Sequence, residues 1–269
     1  MPAGTPGAID SPRNPRIVAA RALHTARGRR DAGAFVAEGP HAVLAAIEAS
    51  FRVRELFITD AAADREKDLL RTAAAAGVRV QTVGERALAA ITETTTPQGV
   101  VAVVGMPPQA ALPAVVRLGV LLHECADPGN AGAIIRTADA AGADVALFGD
   151  NSVDVWSGKC VRASAGSVFH LPLVTAGDTP SLIDRLRSSG CQVLATAATG
   201  DVDLDHLAAD GELTGPTTWL FGSEAHGLPR DLLDRVDRVV RIPIHGRAES
   251  LNLAAAAAVC LYASARAHR

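Results

Sequence analysis

The sequence is short of cysteine, and the cysteines it has are not paired. Cys125, Cys160, Cys191 and Cys260 are widely spaced and form no CxxC motif, so neither a disulfide framework nor a structural zinc site is expected. The eight histidines make no HExxH or comparable ligand pattern, and no metal is expected. Long apolar runs are missing too. The stretch that opens at Leu253 is mostly alanine and far short of the roughly 20 residues a bilayer span needs. "MPAGTPGAIDSPRNP" has no apolar signal core. These absences read as a cytoplasmic protein without membrane association.

The chain also lacks an excess of positive charge. A formal net charge of −3 excludes an indiscriminate polyanion binder, because non-specific nucleic-acid affinity comes from clustered cations. The total conceals a local cluster: Arg13, Arg16, Arg21, Arg27, Arg29 and Arg30 share one stretch with no acidic residue. That stretch suits either an ordinary solvated helix face or an RNA contact.

What is present is enough apolar material, 48% of 269 residues, for a substantial core in one large or two small domains. Pro107, Pro108 and Pro113 concentrate in "GMPPQAALPAV" and mark a linker. Before it, the strand-like runs "RVRELFIT", "GVRVQTV" and "GVVAVVG" are separated by helical stretches such as "DREKDLLRTAAAAG" and "GERALAAI", which describes a small α/β domain. After it, "LGVLLHEC", "DVALFG", "CQVLAT", "TTWLFG" and "RVVRIP" alternate with helices at "AGAIIRTADAAG", "PSLIDRLRSSG" and the alanine run. Strands hydrophobic throughout belong to a parallel sheet covered on both faces. The expected division is residues 1–106, a linker over 107–114, and a second α/β domain over 115–269.

Three strand ends of the second domain lead into loops rich in glycine and polar residues, and ligands of open α/β sheets sit outside the carboxyl ends of strands. In the first loop Gly129 and Gly132 precede a helix, but the GxGxxG spacing of a dinucleotide site is absent. Asn130 and Arg136 read locally as a residue near the helix cap and a surface arginine. In the second loop Gly222 and Gly227 allow close backbone approach around Glu224, and a tight turn with an exposed acid fits equally well. In the third, Ser250 is the expected N-cap of the alanine helix, which leaves Asn252, a poor helix former, without a local reason.

Taken in order, "DPGNAGAIIRTADAAGA", "LFGSEAHGLP" and "IPIHGRAESLNLAAAAA" resemble the three signature motifs of the SpoU (TrmH) family of RNA 2′-O-ribose methyltransferases, in the SPOUT superfamily. "NPRIVAARAL", "FVAEGPHAV" and "TPQGVVAVV" resemble the small, ribosomal-protein-like α/β RNA-binding domain that precedes the methyltransferase domain in many members. The resemblance spans nearly the whole chain. Ile244 stands where a methionine is usual.

The resemblance implies a deep trefoil knot in the C-terminal α/β domain, S-adenosylmethionine bound against the knot loops, and a homodimer packed knot against knot. It implies cofactor contacts from Thr196, Ala197, Gly222, Ile242, Ile244, Gly246 and Leu251, and a catalytic set of Asn130, Arg136, Glu224, Ser250 and Asn252. Arg136 is the family's candidate both for placing the ribose hydroxyl and for taking its proton; a guanidinium pKa above about 12 favours the placing role. RNA contacts are expected from Arg13, Arg16, Arg27, Arg29 and Arg30, and from Arg162 in "KCVRASAGSVFHLPL". The implied activity is S-adenosylmethionine-dependent methylation of a ribose 2′-hydroxyl in RNA. A separate N-terminal domain points to ribosomal rather than transfer RNA, with drug resistance where the nucleotide lies in a drug site. The alternative is an RNA-binding relative without catalysis, which a methyl-transfer assay would separate.

Overall fold

The computed structural model describes residues 7–269; the first six residues, with which both the expected domain 1–106 and the stretch lacking a signal core begin, lie outside the described residues. By its contacts the chain forms two compact units. One comprises Met1–Pro108 with Asp154–His170, the other Gln109–Val153 with Leu171–Arg269.

In the first unit, β1 (Ala34–Glu38), β2 (Val53–Ile58), β3 (Val80–Thr82) and β4 (Val100–Gly105) form a sheet in the order β1-β4-β2-β3. β4 runs antiparallel to both of its neighbours, and β2 pairs in parallel with β3. α1 (Pro15–Ala22) and α2 (Ala26–Ala32) precede β1, and α3 (Pro40–Glu48), α4 (Asp60–Arg65), α5 (Lys67–Ala75) and α6 (Glu85–Ala89) connect the strands. α1 starts at Pro15, whose missing N–H costs nothing at a helix start, with the Asn14 side chain accepting from the Arg16 N–H. Ile17, Leu23, Phe57, Leu88 and Val101 meet in the core beneath.

The second unit is built on seven strands: β5 (Leu118–Leu122), β6 (Val145–Phe148), β7 (Leu173–Val174), β8 (Gln192–Thr196), β9 (Val202–Asp203), β10 (Thr217–Phe221) and β11 (Arg238–Arg241). Their order is β7-β6-β5-β10-β8-β11-β9, and every pairing is parallel. β5, β6 and β10 are buried at every residue, as strands covered on both faces must be. Leu122 stands opposite Phe221, Leu220 opposite Ala195 and Val240 opposite Thr196, so the carboxyl ends of β5, β10, β8 and β11 finish close together. The order reverses beside β5, which places a switch point, the usual ligand position in such sheets, at that edge.

Two helices flank this edge. α7 (Pro128–Ala141) is capped by Asp127, which accepts from the Asn130 N–H at 2.9 Å, and it ends at Gly142 with φ 78°. The last helix, Leu253–Ala267, packs on α7 and β10 through small residues, Ala257, Ala263 and Ser264 among them. There Trp219, fully buried, donates its indole N–H to Ser264 Oγ at 2.9 Å, so the largest core side chain leaves no polar atom unpaired.

The grouping of Asp154–His170 with the first unit has an evident cause. Phe35 and Phe51 pack against Trp156 and Phe169 of that segment, with ring centroids 4.8 Å apart for Phe35–Trp156 and 5.0 Å for Phe51–Phe169. Arg29 adds a salt bridge of 2.6 Å to Asp154. A linear division of the chain does not anticipate this return.

Arg29 therefore corrects the expected RNA-contact set. Its side chain is only 5% exposed, and its donors go to Asp154 and to the carbonyls of Leu23 and His24. A guanidinium so committed inside the fold cannot reach a phosphate. Arg16 is also engaged, donating to Gln81 Oε1 at 2.8 Å and pairing with Glu55. Arg162 is held between Glu38 and Glu93 at 2.8 and 3.0 Å. Arg13, Arg27 and Arg30 are exposed.

Candidate active site

The three glycine-rich loops meet at the carboxyl edge of the second sheet through one chain of side-chain hydrogen bonds. Asn252 Nδ2 donates to Asn130 Oδ1 at 3.1 Å, and Asn130 Nδ2 donates to Glu224 Oε1 at 2.9 Å. The other oxygen of Glu224 accepts from the Ala126 N–H at 3.2 Å. Each loop contributes one member, so none of the three can shift without breaking a bond to another.

Asn252 has a second task that corrects the assignment of Ser250. Its Oδ1 accepts from the N–H groups of Ala254 and Ala255 at 2.9 and 3.4 Å, so Asn252, not Ser250, caps the C-terminal helix. Serine and asparagine cap comparably well, and a run of alanines has no periodicity to choose between them. Asn130 lies near the cap of α7, as expected, but is not the cap itself. Asp127 fills that position, which frees both ends of the Asn130 amide for the relay.

Partial burial alone pushes the Glu224 carboxyl up, but the Asn130 donor and the backbone N–H groups around it outweigh that, and the group sits below the usual carboxylate range. Glu224 is therefore an anion at neutral pH. Beside it, Cys125 is pushed up to about 12 by burial and by the charges of Glu224 and Asp127. It stays a neutral thiol and is no nucleophile.

Behind the relay lies a cavity of about 490 Å³. Thr196, Ala197, Gly222, Ile242, Ile244 and Leu251 line it, together with Glu224, Ser250 and Asn252; Gly246 does not. Ala198, Ser223 and Ala256 line it too, and small residues of that kind give no signal in a sequence. A Cβ on Gly222 would come within 2.3 Å of the Gly227 carbonyl carbon, so only glycine lets the 222–227 turn close on itself. The result is a backbone cradle with an apolar wall. That donor and surface set fits S-adenosylmethionine, whose adenine needs an apolar slot and whose polar parts need backbone groups.

A second cavity, lined by Ala126, Asp127, Asn130 and Ala225, shares Ser223, Glu224 and Asn252 with the first. Arg136 lies on α7 six residues beyond Asn130, about 9 Å along the axis. It is exposed, lines neither cavity, and makes no hydrogen bond or ion pair among the described residues. No group of three or more histidine, cysteine, aspartate or glutamate side chains that could hold a metal occurs among the described residues. No helix there is long and apolar enough to cross a membrane.

Comparison with known proteins agrees with this geometry. Residues 117–262 match the model of the SpoU rRNA Methylase family, and residues 14–102 match the MRM3-like substrate binding domain. The chain is 35% identical to the 23S rRNA (guanosine(2553)-2′-O)-methyltransferase RlmP of Bacillus subtilis, over 94% of this chain and 97% of that protein. It is 35% identical to the 23S rRNA (uridine(2479)-2′-O)-methyltransferase of Streptomyces viridochromogenes, over 94% and 90%. Among solved structures, an AdoMet-bound rRNA methyltransferase from Sinorhizobium meliloti superposes with a TM-score of 0.82 at 33% identity, over 97% of both chains.

Proposed function

Because the chain belongs to the SpoU rRNA methylase family, we propose that it is an S-adenosylmethionine-dependent methyltransferase acting on a ribose 2′-hydroxyl of ribosomal RNA in the cytoplasm. The observation that carries this reading is the Asn252–Asn130–Glu224 relay, which closes one side of a cavity suited to the cofactor and leaves a second cavity against the same three loops.

When bound, S-adenosylmethionine supplies an electrophilic sulfonium methyl. Gly222, in the turn closed against Gly227, and the apolar side chains of Ile242, Ile244 and Leu251 would form the wall that holds it. Glu224, Asn130 and Asn252 tie the three loops together, and Ser250 would face the cofactor from the cavity wall. Glu224 is already committed as an acceptor to two donors, which makes it a clamp rather than a base. Arg136 makes no hydrogen bond or ion pair among the described residues, so it is available to hold an RNA phosphate and place the hydroxyl in line. A planar fork of this kind suits placing a phosphate rather than acting as a base.

We read the loops that carry these residues as knotted, as the family implies, and the protein as a homodimer. Val259 and Tyr262, 42% and 45% exposed, share a face of the last helix and support the pairing. They lie three residues apart, so both point the same way. The test is transfer of labelled methyl from S-adenosylmethionine to unmodified 23S rRNA transcribed in vitro, mapped to a single ribose. No incorporation would refute the reading.

A further inference from the structure

Three stretches singled out in the sequence, "FVAEGPHAV", "TPQGVVAVV" and "KCVRASAGSVFHLPL", take no part in the methyl-transfer site. The fold brings all three to one cavity of about 290 Å³ inside the first unit. Gly39 and His41 come from the first stretch, Pro97 and Gln98 from the second, and Arg162 and Ala165 from the third.

The floor of this cavity is closed and slightly acidic. Glu38, its side chain 6% exposed, accepts from the Glu93 N–H, the Thr94 hydroxyl and Arg162, at 3.0, 3.0 and 2.8 Å. Arg162 also pairs with Glu93 at 3.0 Å. Two carboxylates share one guanidinium, which leaves no spare positive charge, and a phosphate would meet net repulsion.

Above the floor the polar groups are uncommitted. His41, Thr96 and Gln98 are exposed, and their side chains make no hydrogen bond among the described residues. The Gln98 amide sits over Gly39: its Oε1 lies 3.1 Å from where a Cβ on that residue would be, and Gly39 has φ 91°. Pro97, Ala42 and Ala165 supply apolar walls. A slot with apolar walls, an amide that pairs one donor with one acceptor, and an imidazole matches the flat face and polar edge of a nucleobase. Sequence-selective RNA recognition acts mostly on bases that are unstacked and splayed out.

We propose that this cavity receives one unpaired nucleobase of the RNA substrate, with Gln98 and His41 as the groups that contact it. The assignment rests on the RNA methyltransferase reading above. It gives the first unit a base-selecting role beside the phosphate contacts expected of Arg27 and Arg30.

The test uses the full chain and unmodified 23S rRNA transcribed in vitro. Gln98→Ala and His41→Ala should each raise KM for RNA about tenfold or more, the size expected for losing a base contact. The turnover at saturating RNA, S-adenosylmethionine affinity and thermal midpoint should stay unchanged. Photo-crosslinking of the wild type identifies the nucleotide in the cavity. Replacing it by an abasic residue should raise the wild-type KM at least as much as either substitution and should add less to the Gln98→Ala variant than to wild type. A normal KM in both variants, or additive penalties with the abasic RNA, would overturn the cavity assignment alone. No methyl transfer by the wild type to any position of 23S rRNA would overturn the functional reading, and this assignment with it.

Discussion

Asn252 Nδ2 donates to Asn130 Oδ1 at 3.1 Å, across 122 positions of sequence, and so ties the first turn of the last helix to the first turn of α7. The same asparagine caps its own helix with Oδ1. Its two functions can be separated by substitution.

Asn252→Asp keeps a good cap but has no N–H to give to Asn130, and turning the Asn130 amide would set its oxygen against Glu224. Stability should stay within about 0.5 kcal/mol of wild type, while kcat/KM for methyl transfer should fall about tenfold or more. Asn252→Ala should lose both, with about 1 kcal/mol of stability gone. Urea unfolding beside a methylation assay decides; equal activity in the aspartate variant would remove the relay from catalysis.

Glu224 has a carboxyl held below its unfolded value, so it contributes stability above the unfolded pKa, near 4.3 as an approximate reference, and loses it as pH falls through the lower folded pKa. The Glu224→Gln variant should be less stable than wild type at neutral pH and should converge with it in acid. Unfolding midpoints measured from pH 7 down to strong acid check this, and parallel curves would contradict it.

The arginines of the N-terminal cluster should divide by burial. Arg29→Ala leaves Asp154 unpaired and should cost about 2–4 kcal/mol of stability. Arg27→Ala and Arg30→Ala, both exposed, should leave stability unchanged within about 0.5 kcal/mol. Each should weaken RNA binding and reduce its log-log salt slope by roughly one unit or slightly less. Binding titrations at several salt concentrations test the last point; an unchanged slope would place the phosphate contacts elsewhere.

Arg136→Ala should abolish methylation while S-adenosylmethionine affinity and thermal midpoint remain at wild-type values, because the side chain is exposed and lines neither cavity. Arg136→Lys should restore little, since a point charge lacks the planar fork that grips a phosphate in two places. Near-normal turnover in the alanine variant would overturn its role.

Much of the second unit was legible because its strands are continuous apolar runs, and because strand ends followed by glycine and polar residues mark the ligand edge. β1, "AFVAE", escaped as a strand: it is five residues long, and its burial depends on β4, far away in sequence. β7 and β9, two residues each, carry no pattern at all. The site residues were legible as a set but not in their local roles. Asn130 and Asn252 act through each other, and Arg29 points inward because Asp154 returns to meet it. Such roles depend on distant partners, which neither propensity nor spacing encodes.

The place of β10 in the second sheet has a consequence for synthesis. It lies between β5 and β8 but follows both in the chain, so two strands that end up joined through it first stand apart with unpaired edges. At about 5–20 residues per second, the stretch from Thr196 to Phe221 takes on the order of one to five seconds to leave the ribosome. Through that interval β5 bares one hydrophobic edge and β8, whose other neighbour β11 follows later still, bares both, a state prone to wrong pairing.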